Sequence, residues 1–118
     1  MTKGQVSDLR AELLRQYPGA NIKIALDEAE MVAEIDGKHA VAVIERSVPH
    51  FHSRTTEWYR GLKGVLYVAC GGKGHVLRPG ESVTIEPGMI HFARAVGEPA
   101  WIEVLSEPDW TLEDYRAL

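Results

Sequence analysis

The sequence feature that most constrains the fold is a series of short β-prone runs between turns rich in glycine and proline. Asp36-Gly37 is a strong hairpin signal, and the turns at 71–74, 78–81 and 87–88 interrupt the later part of the chain. The pattern predicts about nine strands, at 21–27, 30–35, 39–45, 56–62, 65–70, 75–77, 82–85, 90–96 and 101–105. No crossover helix separates these runs, so the chain is predicted to be all-β, an antiparallel barrel or sandwich.

Helical patterns occur only near the two ends of the chain. Ser7 is suited to the N-cap of a helix over 8–16. The apolar residues that follow it repeat at helical spacing: Leu9, Leu13 and Leu14. Thr111 and Asp114 resemble a capping pair that opens a second, short helix over 115–117. Between strands 39–45 and 56–62 we expect a loop that contains Pro49.

Composition excludes several classes of function. The 118 residues suffice for one domain, and the formal net charge of −4 argues against a nucleic-acid binder, which would carry a basic surface. Cys70 is the single cysteine, so no internal disulfide can form. The first residues contain no apolar run like that of a signal peptide, and no stretch approaches the roughly 18 apolar residues of a membrane helix. We therefore expect a cytoplasmic protein that binds neither membrane nor nucleic acid.

Four residues form a candidate metal site. His50 and His52 are two positions apart, so on a strand both imidazoles project from the same face. Glu57 can return a carboxylate to that face after a turn, and His91 opens a strand just after the turn at 87–88. Each residue alone is more often a surface or structural group. Three imidazoles and one carboxylate suit Zn, Mn, Fe, Ni or Co better than Ca or Mg, and they leave open positions on the ion.

The same residues carry a family resemblance. The segment 49–64 (PHFHSRTTEWYRGLKG) resembles the first cupin motif, which is His-x-His, three or four residues, Glu, six residues and Gly. The segment 80–91 (GESVTIEPGMIH) resembles the second motif, which is Gly, five residues, Pro-x-Gly, two residues and His. The short gap between the motifs is typical of compact cupins. Some positions, including those at 56–64 and 106–110, look most like small cupins related to phosphomannose isomerase and D-lyxose isomerase.

The resemblance implies a fold and an assembly. It implies a single cupin domain over 1–118, built as a double-stranded β-helix, or jelly-roll barrel, with short N- and C-terminal helices. The N-terminal helix and lead-in would occupy 1–20, the barrel 21–106, and the C-terminal tail or helix 107–118. It further implies one divalent transition metal, a homodimer, and a small-molecule substrate, which is a sugar in the isomerase-like branch.

The leading functional hypothesis is an aldose–ketose isomerase that acts on free monosaccharides through an enediolate. A free sugar is favoured over a sugar phosphate, because no cluster of arginine or lysine marks a phosphate pocket. This chemistry needs a base besides the metal ligands. The candidates are Glu45, Lys63 and Glu103, each on a predicted strand, while Tyr59 and Arg94 could orient substrate hydroxyls. Any one of these five is more often a surface or barrel-filling group.

Two alternatives stay open at this point. The same site with Fe(II) could bind oxygen and substrate together, as a cupin-type dioxygenase does. A non-catalytic cupin could instead bind a small ligand or a metal without turning it over. The sign of such a binding module would be a pocket lined only by apolar groups.

Overall fold

Two antiparallel sheets form the body of the protein in a computed structural model that describes residues 1–118. The first sheet has the strand order β1-β2-β3-β10-β5-β8, and the second has the order β11-β4-β9-β6-β7. The strands are β1 Asn21–Ile24, β2 Glu30–Glu34, β3 His39–Ile44, β4 Arg46–His52, β5 Thr56–Lys63, β6 Leu66–Cys70, β7 Lys73–Leu77, β8 Ser82–Ile85, β9 His91–Ala95, β10 Ala100–Glu107 and β11 Tyr115–Ala117. The all-β jelly-roll prediction is confirmed.

Two apolar clusters hold this arrangement together. The main core lies between the sheets and includes Ile44 and Ile102 from the first sheet and Leu66 and Val68 from the second. A second core lies on the other face of the first sheet, where the N-terminal helix packs against it. Alternation along each strand sends successive side chains to opposite faces. The first sheet is therefore covered on both sides.

The N-terminal helix α1 spans Lys3–Gln16, so the predicted start at residue 8 is wrong. The N-cap is Thr2 rather than Ser7. Its side chain accepts a hydrogen bond from the backbone N–H of Gln5, and the Gln5 side chain accepts one from the backbone N–H of Thr2. This capping box satisfies two N–H groups at the helix start, which fixes the start five residues earlier than predicted. Leu13 is fully buried on the face toward the first sheet.

The predicted C-terminal helix is also wrong. Residues Leu112–Asp114 make a single 3₁₀ turn, and Tyr115–Ala117 form strand β11 along the edge of β4. The Asp114 carboxylate bonds to backbone N–H groups at residues 54 and 55 instead of capping a helix. Tertiary contacts thus override a weak local pattern.

Pro49 lies inside strand β4 rather than in the loop predicted there. The pairing of β4 with β9 is irregular between Ser47 and His50. A proline has no N–H to donate and is tolerated in strands at such irregularities. The irregularity leaves His50 opposite His91 in the ladder. No helix in the structure combines the length and the apolar character that crossing a membrane requires.

Candidate metal centre and its cavity

Three strands bring the four predicted ligands together. His50 and His52 lie on β4 and point into the space between the sheets, His91 opens β9, and Glu57 is the second residue of β5. One ligand atom from each residue lies within 4.8 Å of the others. All four side chains are buried, with 1–8% of their surface exposed. This arrangement could hold a single metal ion.

Unpaired polar atoms converge at the centre of this group. Nε2 of His52 lies 3.1 Å and Nε2 of His91 lies 3.4 Å from Oε1 of Glu57. Despite this proximity, none of these three buried atoms makes a well-oriented hydrogen bond. A buried polar atom without a partner costs about 1–3 kcal/mol. A divalent ion would satisfy the converging atoms together, so the donor set fits a transition metal.

Backbone carbonyls orient two of the imidazoles. Nδ1 of His50 lies 2.8 Å from the carbonyl oxygen of Val48, and Nδ1 of His91 lies 3.0 Å from that of Met89. When Nδ1–H donates to a carbonyl, the neutral ring presents the lone pair of Nε2, which is the usual arrangement in metal-binding histidines. The two contacts therefore hold both rings in a state that can bind a metal.

The charges around the centre favour the same protonation states. Burial, together with the neighbouring His91 and His52, lowers the pKa of His50 from 6.5 to about 4. Burial raises the pKa of Glu57, but the side chains of His52 and His91 outweigh that effect and hold it well below its ordinary value. Neutral His50 and ionised Glu57 are the forms that bind a metal ion at neutral pH.

A cavity of about 210 Å³ is lined by three of the four candidate ligands, His50, His52 and Glu57. Its walls come mainly from the inner faces of β2, β3 and β10, with Tyr59 from β5 and Tyr115 from β11. Much of the wall is apolar and is formed by Val32, Ala40, Ala42, Ile44, Val48, Ile102 and Val104. The polar side chains near the ligands are Glu30, Tyr59, Ser106 and Tyr115. The charged residues Lys23, Glu34 and Asp36 also line it. The cavity thus combines an apolar wall with polar groups, as small-molecule sites usually do.

Glu30 is the residue that sequence reasoning missed. It opens β2, faces the cavity and makes no side-chain hydrogen bond or ion pair with another residue. Burial, the charge of Glu57 and the charge of Asp27 raise the pKa of the Glu30 carboxyl from 4.5 to about 7. A carboxyl with such a pKa can take up and release a proton near neutral pH.

Tyr59 is the one predicted substrate-contacting or catalytic residue that lines the cavity. It is buried, and its ring lies 6.1 Å from that of His91, centroid to centroid. Burial and the charges of Glu57 and Glu30 raise the pKa of Tyr59 well above 10. The phenol is therefore protonated at neutral pH and can donate a hydrogen bond to a substrate oxygen.

Two other predicted residues lie on the wrong face of their strands. On β10, Ile102, Val104 and Ser106 point to the cavity. Glu103 therefore points outward, where Oε2 lies 2.8 Å from Nε2 of His39. On β9, Arg94 is exposed on the face opposite His91, and its guanidinium lies 5.4 Å from the Tyr67 ring centroid. Strand alternation excludes both side chains from the cavity.

The remaining two predicted bases lie at strand ends, away from the cavity. Lys63 is the last residue of β5 and is exposed to solvent. Glu45 lies between β3 and β4, where its carboxylate bonds to the Met1 amino group at 2.6 Å and to Arg46 at 3.2 Å. The structure brings neither of them to the metal ligands.

Comparison with known proteins identifies the family. The family model for the cupin domain matches residues 37–105, which are more than half of the chain. This chain belongs to the cupin family. The match covers both histidine-containing motifs and most of the strands that line the cavity. A comparison with curated protein sequences finds no match.

Solved structures of other cupin-like proteins share the fold at low sequence identity. KdgF from Halomonas sp. has a TM-score of 0.65 and 15% identity, over 76% of this cupin and 87% of that chain. Streptomyces PAC13 with uridine has a TM-score of 0.74 and 11% identity, over 86% of each chain. A chain from the structures of the DMSP lyases RdDddP and RnDddQII has a TM-score of 0.74 and 17% identity, over 99% of this cupin and 71% of that chain. The finer likeness to phosphomannose and lyxose isomerases stays a prediction.

Proposed function

We propose that this cupin is a metal-dependent lyase that removes a proton from a carbon next to a carbonyl group, with Glu30 as the base. The observation that carries the proposal is the position of Glu30. Its unpaired carboxyl lies in the same cavity as His50, His52 and Glu57, three of the four candidate metal ligands. Without a bound ion the pKa of Glu30 is about 7, so both of its protonation states are accessible near neutral pH.

The residues of the cavity have separate roles in an elimination reaction. A divalent ion held by the four ligands would supply positive charge that stabilises negative charge on a substrate oxygen. The ionised Glu30 carboxylate takes the proton as the C–H bond breaks. The electron pair of that bond forms the new C=C bond, and the group on the next carbon leaves with its bonding pair. Tyr59 donates a hydrogen bond to a substrate oxygen through its protonated phenol.

Two observations favour elimination over sugar isomerisation. A free monosaccharide carries hydroxyl groups on most of its carbons, and the apolar wall formed by residues such as Ile44, Ile102 and Val104 would leave some of them without partners. Among the structural neighbours, PAC13 is described as a nucleoside dehydratase and another is a DMSP lyase. A substrate with an apolar portion beside its carbonyl group suits the cavity better.

The aldose–ketose isomerase is the second candidate, because it starts with the same proton transfer. In that reaction Glu30 would return the proton to the neighbouring carbon and no group would leave. The sequence resemblance at 56–64 and 106–110 supports it. The non-catalytic alternative is less well supported. A cupin that only binds a ligand was expected to have a pocket lined only by apolar groups, and this cavity contains Glu30, Tyr59 and Ser106.

Hydrogen exchange tests the shared step. The protein is loaded with Mn, Zn, Fe, Ni or Co and incubated in D₂O with β-hydroxy and β-alkoxy carbonyl compounds, uridine, aldoses and ketoses. Loss of the proton next to the carbonyl is followed by NMR, together with the product. A new C=C bond identifies the lyase, and aldose–ketose interconversion identifies the isomerase.

Matched variants assign the base. Glu30→Gln is expected to slow exchange by about 10²–10⁴-fold while the metal content is unchanged. Glu34→Gln removes a carboxylate from the same face of the same strand, but Glu34 pairs with Lys23 at 2.8 Å, so this variant should keep its rate. Full activity of Glu30→Gln would contradict the proposal. Oxygen uptake that requires iron would instead favour the dioxygenase.

A further inference from the structure

The C-terminal residues contact the strand that carries two of the metal ligands. Strand β11 pairs with β4 in a register that sets Tyr115 opposite His52 and Ala117 opposite His50. Without β11, β4 would be the edge of its sheet. An edge strand with few partners opens more easily than an internal one. The position of His50 and His52 therefore depends on residues more than 60 positions away in the sequence.

Asp114 fixes the connection between His52 and Glu57. Its side chain is buried, with 4% exposed. One carboxylate oxygen accepts the backbone N–H of Arg54 at 2.8 Å, and the other accepts that of Thr55 at 2.9 Å. The backbone carbonyl of Asp114 accepts the N–H of Ser53 at 3.1 Å. Three consecutive residues of a four-residue connection are thus held by one C-terminal residue.

Tyr115 adds a contact with the ligands themselves. Its ring stacks on that of His50, with centroids 4.9 Å apart and an angle of 28° between the planes. It also meets His52 edge-on, with centroids 5.8 Å apart. These contacts restrict both imidazoles, and the Val48 carbonyl holds the His50 ring in addition, through Nδ1.

We infer that residues 112–117 form a C-terminal clamp that sets the affinity of the metal centre, with Asp114 and Tyr115 as positioning residues. The clamp contributes no ligand of its own. It holds β4, the connection 53–56 and the His50 ring in the arrangement that the ion needs. Groups that orient metal ligands typically change metal affinity by about 10–100-fold when they are removed.

The test compares two destabilised variants. Asp114→Ala removes the carboxylate. Leu13→Ala removes a fully buried side chain of α1, which packs on the face of the first sheet away from the metal centre. Co²⁺ affinity is measured against a competing chelator, and urea unfolding of the metal-free protein checks that each variant is folded. Asp114→Ala is expected to bind Co²⁺ about 10–100-fold more weakly, with an altered ligand-field spectrum. Leu13→Ala should keep the wild-type affinity and spectrum.

A second measurement keeps the inference falsifiable if Asp114→Ala does not fold. If the clamp strengthens Co²⁺ binding, bound Co²⁺ must stabilise the clamp by the same free energy. Co²⁺ should therefore slow the removal of the C-terminal residues of the wild-type protein by carboxypeptidase. Tyr115→Leu, which loses the ring stacking, should show weaker Co²⁺ binding than Tyr115→Phe. Equal loss of affinity in Leu13→Ala and Asp114→Ala would overturn the clamp, as would digestion that Co²⁺ does not change. These outcomes are independent of the lyase proposal, because no reaction is measured.

Discussion

Replacement of Glu30 by glutamine should stabilise the metal-free protein, although it removes a functional residue. Burial and the nearby charges of Glu57 and Asp27 disfavour the ionised carboxyl. The pKa rises from 4.5 to about 7, and at about 1.4 kcal/mol for each pKa unit this corresponds to roughly 3 kcal/mol. Solvent that enters the cavity screens part of it, so we expect a gain of about 1–3 kcal/mol.

The sign of the effect depends on pH. Between pH 4.5 and about 7 the folded protein keeps the Glu30 proton, whereas the unfolded chain has lost it. Stability from this group is therefore present below pH 4.5 and falls as the pH rises toward 7. Above pH 7 the carboxylate is ionised in both states and the folded protein carries the whole penalty. Glutamine resembles the protonated acid, so Glu30→Gln should gain stability at pH 8 and little or none at pH 4.5.

Urea unfolding in the presence of EDTA measures this gain. With a slope of about 1–3 kcal/mol per molar urea, the midpoint of Glu30→Gln should rise by on the order of 1 M at pH 8. Glu34→Gln is the control, because it removes the same charge from the same strand but breaks the Lys23 ion pair, and it should gain nothing. If the Glu30→Gln midpoint were unchanged at pH 8, or rose equally at both pH values, the electrostatic reasoning would be wrong.

Three further predictions concern the metal centre, the cavity and the assembly. His91→Ala should abolish the increase in melting temperature that Co²⁺ gives the wild type, measured by calorimetry with and without the ion, because it removes one of four ligands. Tyr59→Phe should reduce turnover and leave Co²⁺ affinity intact, whereas Lys63→Ala and Arg94→Ala should leave both unchanged, since neither side chain reaches the cavity. Sedimentation equilibrium should give twice the 13.1 kDa chain mass if the homodimer expected from the family forms, and a single-chain mass would refute it.

The grouping of the four candidate metal ligands was predictable because their arrangement depends on local geometry. A two-residue spacing on a strand sends His50 and His52 to one face whatever the rest of the fold does. The turn at 87–88 fixes where the strand that begins with His91 starts. Two spaced motifs in an all-β chain therefore indicated four side chains that the fold brings together.

The base could not be identified in the same way. Whether a candidate side chain reaches the cavity depends on which face of its strand points inward. Glu45, Lys63 and Glu103 share polar character and a strand-like context, and neither property encodes orientation. On β10, a shift of one residue separates Glu103, which bonds to His39, from Ile102 and Val104, which face the cavity. Orientation is decided by pairing with β3 and β5, and those partners are distant in sequence.

Strand β2 explains why Glu30 is overlooked and how it could be found. Met31 and Ala33 lie on one face of the strand, and Glu30, Val32 and Glu34 lie on the other. The ordinary interpretation buries the wholly apolar face and exposes the face with the two acidic residues to solvent. Here the apolar face is buried, but beneath α1 rather than inside the barrel. A helix that covers the outer face of a sheet reverses that assignment, because the acidic face then turns toward the second sheet. In a jelly roll whose N-terminal helix is amphipathic, acidic residues on a strand that it covers are therefore candidates for the cavity, and the one that lacks a cationic partner is the stronger candidate for proton transfer. Glu34 has Lys23, and Glu30 has none.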